Sequence, residues 1–170
     1  DWGVHVREDR GHYEFLILER AQAGLSWSTI LNKREVYRKN FANLDHQKVP
    51  RFTNNRVEKI QTDPGIVRNR LKVESAVSNA KAFLQVQDEF GSFSDYIWSF
   101  VEGKPVQNRY RKDSDIPATS PISDTISKEL KQRGFKFVGS TIVYAHMQAT
   151  GMVNDHVTGC FRYRECKALA

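Results

Sequence analysis

Apolar side chains recur along most of the chain at three- and four-residue spacing, the period of a helix with one buried face. Residues 10–22 set Phe15, Leu16, Ile17 and Leu18 against polar neighbours and run out at Gly24. Ser26 can cap a second helix, which carries Trp27, Ile30, Leu31, Tyr37 and Phe41 on or near one stripe. Thr53 is a similar cap for a short helix through Ile60, stopped by Asp63-Pro64-Gly65. A longer helix is expected from about Asn69 to Phe90, with Ala76, Val77, Ala80, Phe83 and Leu84 inward and Gly91 as its end. Ser92 or Ser94 opens the next, holding Tyr96, Ile97, Phe100 and Val101. Further helices are expected from about Ser123 to Arg133, from Ser140 to Gly151, and briefly from near Asp155. Residues 102–121 break the pattern with Gly103, Pro105, Pro117 and Pro121, and read as an irregular connection carrying Arg109, Arg111 and Lys112. No segment alternates as a strand does, so the expected fold is all-α.

Length and composition narrow the class. The chain's 170 residues suit a single domain of two closely packed helical lobes. No apolar run approaches the roughly 18 residues of a membrane span, and no signal-peptide pattern opens the chain, so no membrane partner is expected. Cys160 and Cys166 are the only cysteines, too few and too close for a disulfide framework, which points to a reducing cytoplasm. A net charge of +6 fits either a generic solubilising surface or a polyanion partner whose counterions Lys and Arg displace. Charge alone does not choose between them.

The most informative stretch lies within a helical hairpin at about 123–151. One helix runs out at Arg133-Gly134; after Phe135-Lys136-Phe137-Val138, Gly139 precedes Ser140-Thr141 at the start of another. Glycine tolerates backbone angles and close approaches that a side chain blocks. The second helix presents free N–H groups and a positive dipole end, which suit a phosphate, and Arg133 and Lys136 add charge nearby. An ordinary helical hairpin with a glycine stop and a serine cap has the same pattern. Glu19 and Trp27 are eight residues apart across the Gly24-Leu25 turn, a carboxylate and an aromatic face. By residue type alone they read as a solvated helix residue and a core aromatic.

Four blocks carry a resemblance that decides among these readings. They are Trp2-Gly3-Val4; Glu19 with Gln22-Ala23-Gly24-Leu25-Ser26-Trp27; Gly134 through Gly139; and Val153-Asn154-Asp155-His156-Val157 with Gly159-Cys160. With Tyr96-Ile97-Trp98-Ser99-Phe100 between them, they resemble, in order over nearly the whole chain, the 3-methyladenine DNA glycosylase I family of the helix-hairpin-helix superfamily. Phe137 stands where common hairpins of that superfamily have their first glycine, which is a mark of this branch.

The resemblance implies a helix-hairpin-helix glycosylase fold and a base-excision-repair hydrolase. Such an enzyme flips N3-methylated adenine out of alkylated double-stranded DNA and hydrolyses its glycosidic bond. It implies Glu19 as the catalytic, base-recognising carboxylate, with Trp27 and Trp2 lining the base pocket. Gly24, Leu25, Gly134, Lys136, Gly139, Ser140 and Thr141 would face DNA, Leu25 either as a wedge beneath the flipped base or as an inward-packed turn residue. Asn154 lies where many superfamily members have a catalytic aspartate, and no lysine stands out as a Schiff-base nucleophile. A monofunctional enzyme without strand cleavage follows. Asp155, one residue on, would point about 100° away on a helix and is not nominated in its place. The resemblance also implies a structural zinc, with His156 and Cys160 as two ligands four apart on one helix face and two more, along with pocket tyrosines, expected ahead of Asp1. Cys166, His5 and His12 match none of these positions. The other implied properties are a monomer and a cytoplasmic location. A helix-hairpin-helix DNA-binding module without turnover is the alternative.

Overall fold

A computed structural model of the chain describes residues 2–21 and 27–170, and of Trp27 only the backbone. Among the described residues the helices are α1 (Asp9–Ala21), α2 (Trp27–Asn40), α3 (Asn54–Gln61), α4 (Arg70–Phe90), α5 (Phe93–Ser99), α6 (Pro121–Gln132), α7 (Ser140–Ala149) and α8 (Phe161–Ala168). None is long and apolar enough to cross a membrane.

Local side-chain chemistry sets most of these ends. Thr53 Oγ1 accepts from Arg56 N at 3.3 Å and Asn69 Oδ1 from Lys72 N at 3.2 Å, starting α3 and α4. Of the two serines expected to open α5, Ser92 is the cap, accepting from Asp95 N at 2.9 Å. Helix α6 begins before residue 123 because Ser120 and Ser123 cap each other's backbone and Pro121 fits the first turn. Ser26, the expected cap of α2, lies outside the described residues.

Two elements differ from the sequence pattern. Val106–Gln107 (β1) and Val153–Asn154 (β2) form a two-residue parallel pair, too short to show alternation. It ties the irregular connection to the end of the hairpin. The last helix also starts later than expected, at Phe161 rather than near Asp155. His156 and Cys160 therefore do not share a helix face.

Helix α1 is the centre of the molecule, touching α2, α4, α5 and α7. Helices α1–α5 make one lobe, with Leu18, Ile30, Phe41, Phe83 and Phe93 fully buried in it. Phe83 and Phe93 stack at 4.3 Å. Helices α6 and α7 pack on each other through Ile126, Leu130, Val143 and Met147 and close against α1. The segment before α1 crosses to the end of α7, where Val6 N donates to Thr150 O at 3.0 Å. Gly151 is required at this crossing: its φ is +75°, and a Cβ there would meet Gly3 O at 2.8 Å.

Candidate functional site

Because α1 is covered by other helices, most of its polar residues are buried or half-buried, and each of those needs a partner. Asp9 accepts from Phe93 N at 2.9 Å, Ser94 N at 2.8 Å and Gln87 Nε2 at 2.6 Å, capping α5 from outside. Glu14 pairs with Arg34 and Arg38 of α2. Arg20 donates to Ser75 Oγ at 2.5 Å, and burial among uncharged groups holds its guanidinium down at about 10.

Glu19 is the exception. It is 1% exposed, and among the described residues neither carboxylate oxygen has a hydrogen-bond partner. Oε2 lies 3.3 Å from His146 Nδ1 on α7, within ion-pair reach but without the angles of a hydrogen bond. On its other side His146 Nε2 is 3.1 Å from His12 Nδ1. His12 and Glu19 are seven residues apart on α1, on one face, and His146 fits between them from the facing helix. All three are buried. Burial pushes the Glu19 carboxyl well up and holds both imidazoles at about 3, His12 also through the neighbouring His146. A buried carboxyl left without hydrogen bonds is expensive for the fold and suits a site whose partner arrives with the ligand.

The hairpin is built the opposite way. Gly134, at φ +89°, ends α6 in a turn closed by Phe135 N to Leu130 O at 3.0 Å and Gly134 N to Lys131 O at 3.1 Å. Phe135 and Val138 are buried. Asn79 of α4 clamps the backbone of Lys136 from both sides, Nδ2 to the carbonyl at 2.9 Å and Oδ1 from the N–H at 2.8 Å. Ser127 Oγ donates to Val138 O at 2.7 Å.

These contacts leave Gly139 as a cap without a side-chain bond, so the first N–H groups of α7 stay open to an anion. Lys136 and Thr141 are exposed beside them. Ser140 is engaged, its hydroxyl 2.5 Å from Asp124 Oδ1 and 2.7 Å from Ser123 Oγ. Arg133 does not add free charge here, because it pairs with Glu89 at 2.6 Å. An open groove of about 590 Å³ runs between the hairpin and α4, lined by Leu71, Glu74, Ser75, Ser78, Lys136 and Phe137. Ser75 also accepts from Arg20 of α1.

Residues 1–163 match the family model described as methyladenine glycosylase. The chain belongs to the methyladenine glycosylase family. It is similar to DNA-3-methyladenine glycosylase 1 of Escherichia coli K12, 45% identical over 163 residues that make up 96% of this chain and 87% of the relative. A crystal structure of 3-methyladenine DNA glycosylase I superposes with a TM-score of 0.91 at 45% identity, covering 95% of this chain and 88% of that one. A second, from Staphylococcus aureus and concerned with 3-methyladenine recognition, has a TM-score of 0.91 at 36% identity, covering 94% and 85%.

In this methyladenine glycosylase the remaining expected residues fall at three places. Gly24, Leu25 and the Trp27 side chain lie outside the described residues. Trp2 stands edge-on to the His156 ring at 4.6 Å, on the α8 side of the molecule. Asn154 is buried in β2 and donates through Nδ2 to Gln107 Oε1 at 3.0 Å and Tyr163 O at 3.1 Å. Its neighbour Asp155 is a structural hub, accepting from Tyr144 Oη and Asn108 Nδ2 at 2.6 Å each and from Gln148 Nε2 at 3.0 Å. Those bonds occupy the carboxylate as an acceptor.

His156 Nε2 lies 3.4 Å from Trp2 O, and no group of three or more His, Cys, Asp or Glu among the described residues is arranged to hold a metal. His156 and Cys160 supply two donors, which do not by themselves close a tetrahedral zinc site. Sequence reasoning missed His146, His12 in its present role, and Asn79. The available signal was the seven-residue spacing of His12 and Glu19, which puts both on one face of α1.

Proposed function

We propose that Glu19 is the carboxylate with which this chain recognises its base. The chain is a DNA-3-methyladenine glycosylase of base excision repair, hydrolysing the N-glycosidic bond of N3-methylated adenine. The observation that carries the reading is the Glu19 carboxyl, buried on the central helix with no hydrogen bond of its own.

The chemistry asks little of the protein beyond binding. N3-methylated adenine is cationic, so its glycosidic bond is already weakened and the base leaves neutral. Flipping costs a few kcal/mol, least where a damaged base stacks and pairs poorly. An anionic Glu19 complements the cation, and in a buried site that attraction is much stronger than in water. Water then attacks the sugar carbon. No carboxylate stands free at Asn154–Asp155 to serve as a general base, which fits a substrate that needs none. Trp27 and Trp2 are assigned as aromatic walls of the pocket. Gly24 and Leu25 are assigned to the gap left by the flipped base.

The open N-terminus of α7, with Gly134, Lys136, Gly139, Ser140 and Thr141 around it, is assigned to a phosphate of alkylated double-stranded DNA. A monomer in the cytoplasm, with zinc held in part by His156 and Cys160, completes the reading, and no catalytic step is routed through the metal. The test is incubation with methylated duplex DNA and chromatography of the free bases. Released 3-methyladenine without strand breaks is expected. Strand breaks, or no free base, would overturn the assignment.

A further inference from the structure

We propose that His146, backed by His12, positions Glu19 and exchanges protons with it, so that the carboxyl turns anionic as a cationic base enters. This rests on Glu19 being the base-recognising group. The observation beneath it is the row Glu19–His146–His12, with gaps of 3.3 and 3.1 Å across α1 and α7.

The row has only two ways to place its protons. The gap between the two imidazoles needs one hydrogen. If His146 supplies it from Nε2, a neutral His146 has a bare Nδ1 facing Glu19, and the carboxyl keeps its proton, which a small rotation would aim at Nδ1. If His12 supplies it from Nδ1, His146 carries its hydrogen on Nδ1, which the same rotation would aim at an ionised Glu19.

Passing between these states moves three protons. The Glu19 proton goes to His146 Nδ1, the His146 Nε2 proton goes to His12 Nδ1, and the His12 Nε2 proton, buried in this structure, leaves to water as the site opens to admit the base. One cation enters and one proton leaves, so the charge inside the site is unchanged. That balance matters because a lone buried carboxylate is costly before the base arrives and a lone buried cation is costly after.

The surroundings leave this job to the row itself. Burial raises the Glu19 carboxyl and lowers the His146 imidazole. His12 senses Asp9 of its own helix, whose carboxylate is already bonded to α5 and Gln87, and Arg7 just before it. From α5 it meets the uncharged Phe93 ring at 5.8 Å. Residues 22–26 carry no ionisable side chain.

The experiment is the pH profile of kcat/KM for base release from methylated duplex DNA. It compares the unchanged protein with His146→Leu, His146→Asn and Glu19→Gln. Activity should fall on the acid side as Glu19 takes up its proton. His146→Leu removes the donor to the carboxylate, so its acid limb should move up by about one pH unit or more, a loss of about tenfold at a fixed pH on that limb. Asn places an N–H near the Nδ1 position permanently, so its limb should stay or move down.

A limb that moves up in His146→Leu and not in His146→Asn is something a purely structural role does not produce. Coincident limbs for all three active proteins, with Glu19→Gln inactive, overturn the relay and leave the Glu19 assignment standing. Full activity in Glu19→Gln overturns the assignment itself. Melting curves show whether His146→Leu folds; if it does not, a limb in His146→Asn displaced upwards overturns the proposal.

Discussion

Helix α7 serves two regions that are constructed on opposite terms. At its start the hairpin is held at nearly every turn: Asn79 on Lys136, Ser127 on Val138, Ser123 and Asp124 on Ser140. What stays open there is only the row of N–H groups after Gly139. Two turns along, His146 meets Glu19 in a region that is covered but not satisfied, with both carboxylate oxygens unbonded. The hairpin is a preformed turn whose open N–H groups suit an anion such as a backbone phosphate. The buried row carries a standing energetic cost that a ligand of the right charge can relieve. Stability and affinity for any DNA should therefore depend on the first region, and discrimination of the damaged base on the second.

The strongest test of that division is Glu19→Gln. The amide keeps shape and volume but cannot become an anion. Base release should fall by about 10²-fold or more, the size typical of losing one well-placed electrostatic contact in a dry site. Stability should hold or rise, since a buried carboxyl is exchanged for a group that needs no charge. Binding to undamaged duplex should not change. A variant that melts early, or that loses affinity for plain DNA, would mean that Glu19 is holding the fold together.

Asn79→Ala probes the other side. It strips the Lys136 backbone of both its partners, and each lost bond to a part-buried group costs about 1 kcal/mol, less where water can replace it. The melting temperature should drop and binding to undamaged duplex should weaken several-fold at fixed salt. Turnover of bound substrate should stay near its starting rate. An unchanged affinity would show that the hairpin needs no clamp.

The two regions also differed in how far the sequence revealed them. The hairpin was legible because its signals are local: Gly134 at a helix end, a second glycine five residues on, and serine caps. Helix ends such as Thr53, Asn69 and Gly91 were legible for the same reason. The buried row was not, since it depends on how α1 and α7 dock, and residue 146 is 134 positions from residue 12. Glu19 itself was singled out only by family resemblance. The displaced start of α8 has a related cause. Asp155 looked like a helix cap, but its carboxylate is taken up by Tyr144, Asn108 and Gln148, so the chain runs on to Phe161 before turning helical. Arg133 illustrates a tertiary partner overriding position: it sits beside the Gly134 turn and yet pairs with Glu89.

Phe137 offers the finest discrimination between a part of the hairpin that shapes it and a part that touches its ligand. Its φ is +56°, the left-handed region where glycine is at ease and an aromatic residue is strained by about 1–2 kcal/mol. The ring is 40% exposed, so burial returns only part of that cost. Phe137→Gly should relieve the strain, offset in part by the greater freedom glycine has in the unfolded chain. The net change should be a stabilisation of no more than about 1 kcal/mol, read from denaturant unfolding. Phe137→Ala keeps the strain and removes the ring. If the ring is kept for its contact with DNA, both variants should bind duplex more weakly, by a similar factor, although their stabilities move in opposite directions. Equal stability losses with undiminished binding would instead make Phe137 a packing residue against Leu71 across the groove.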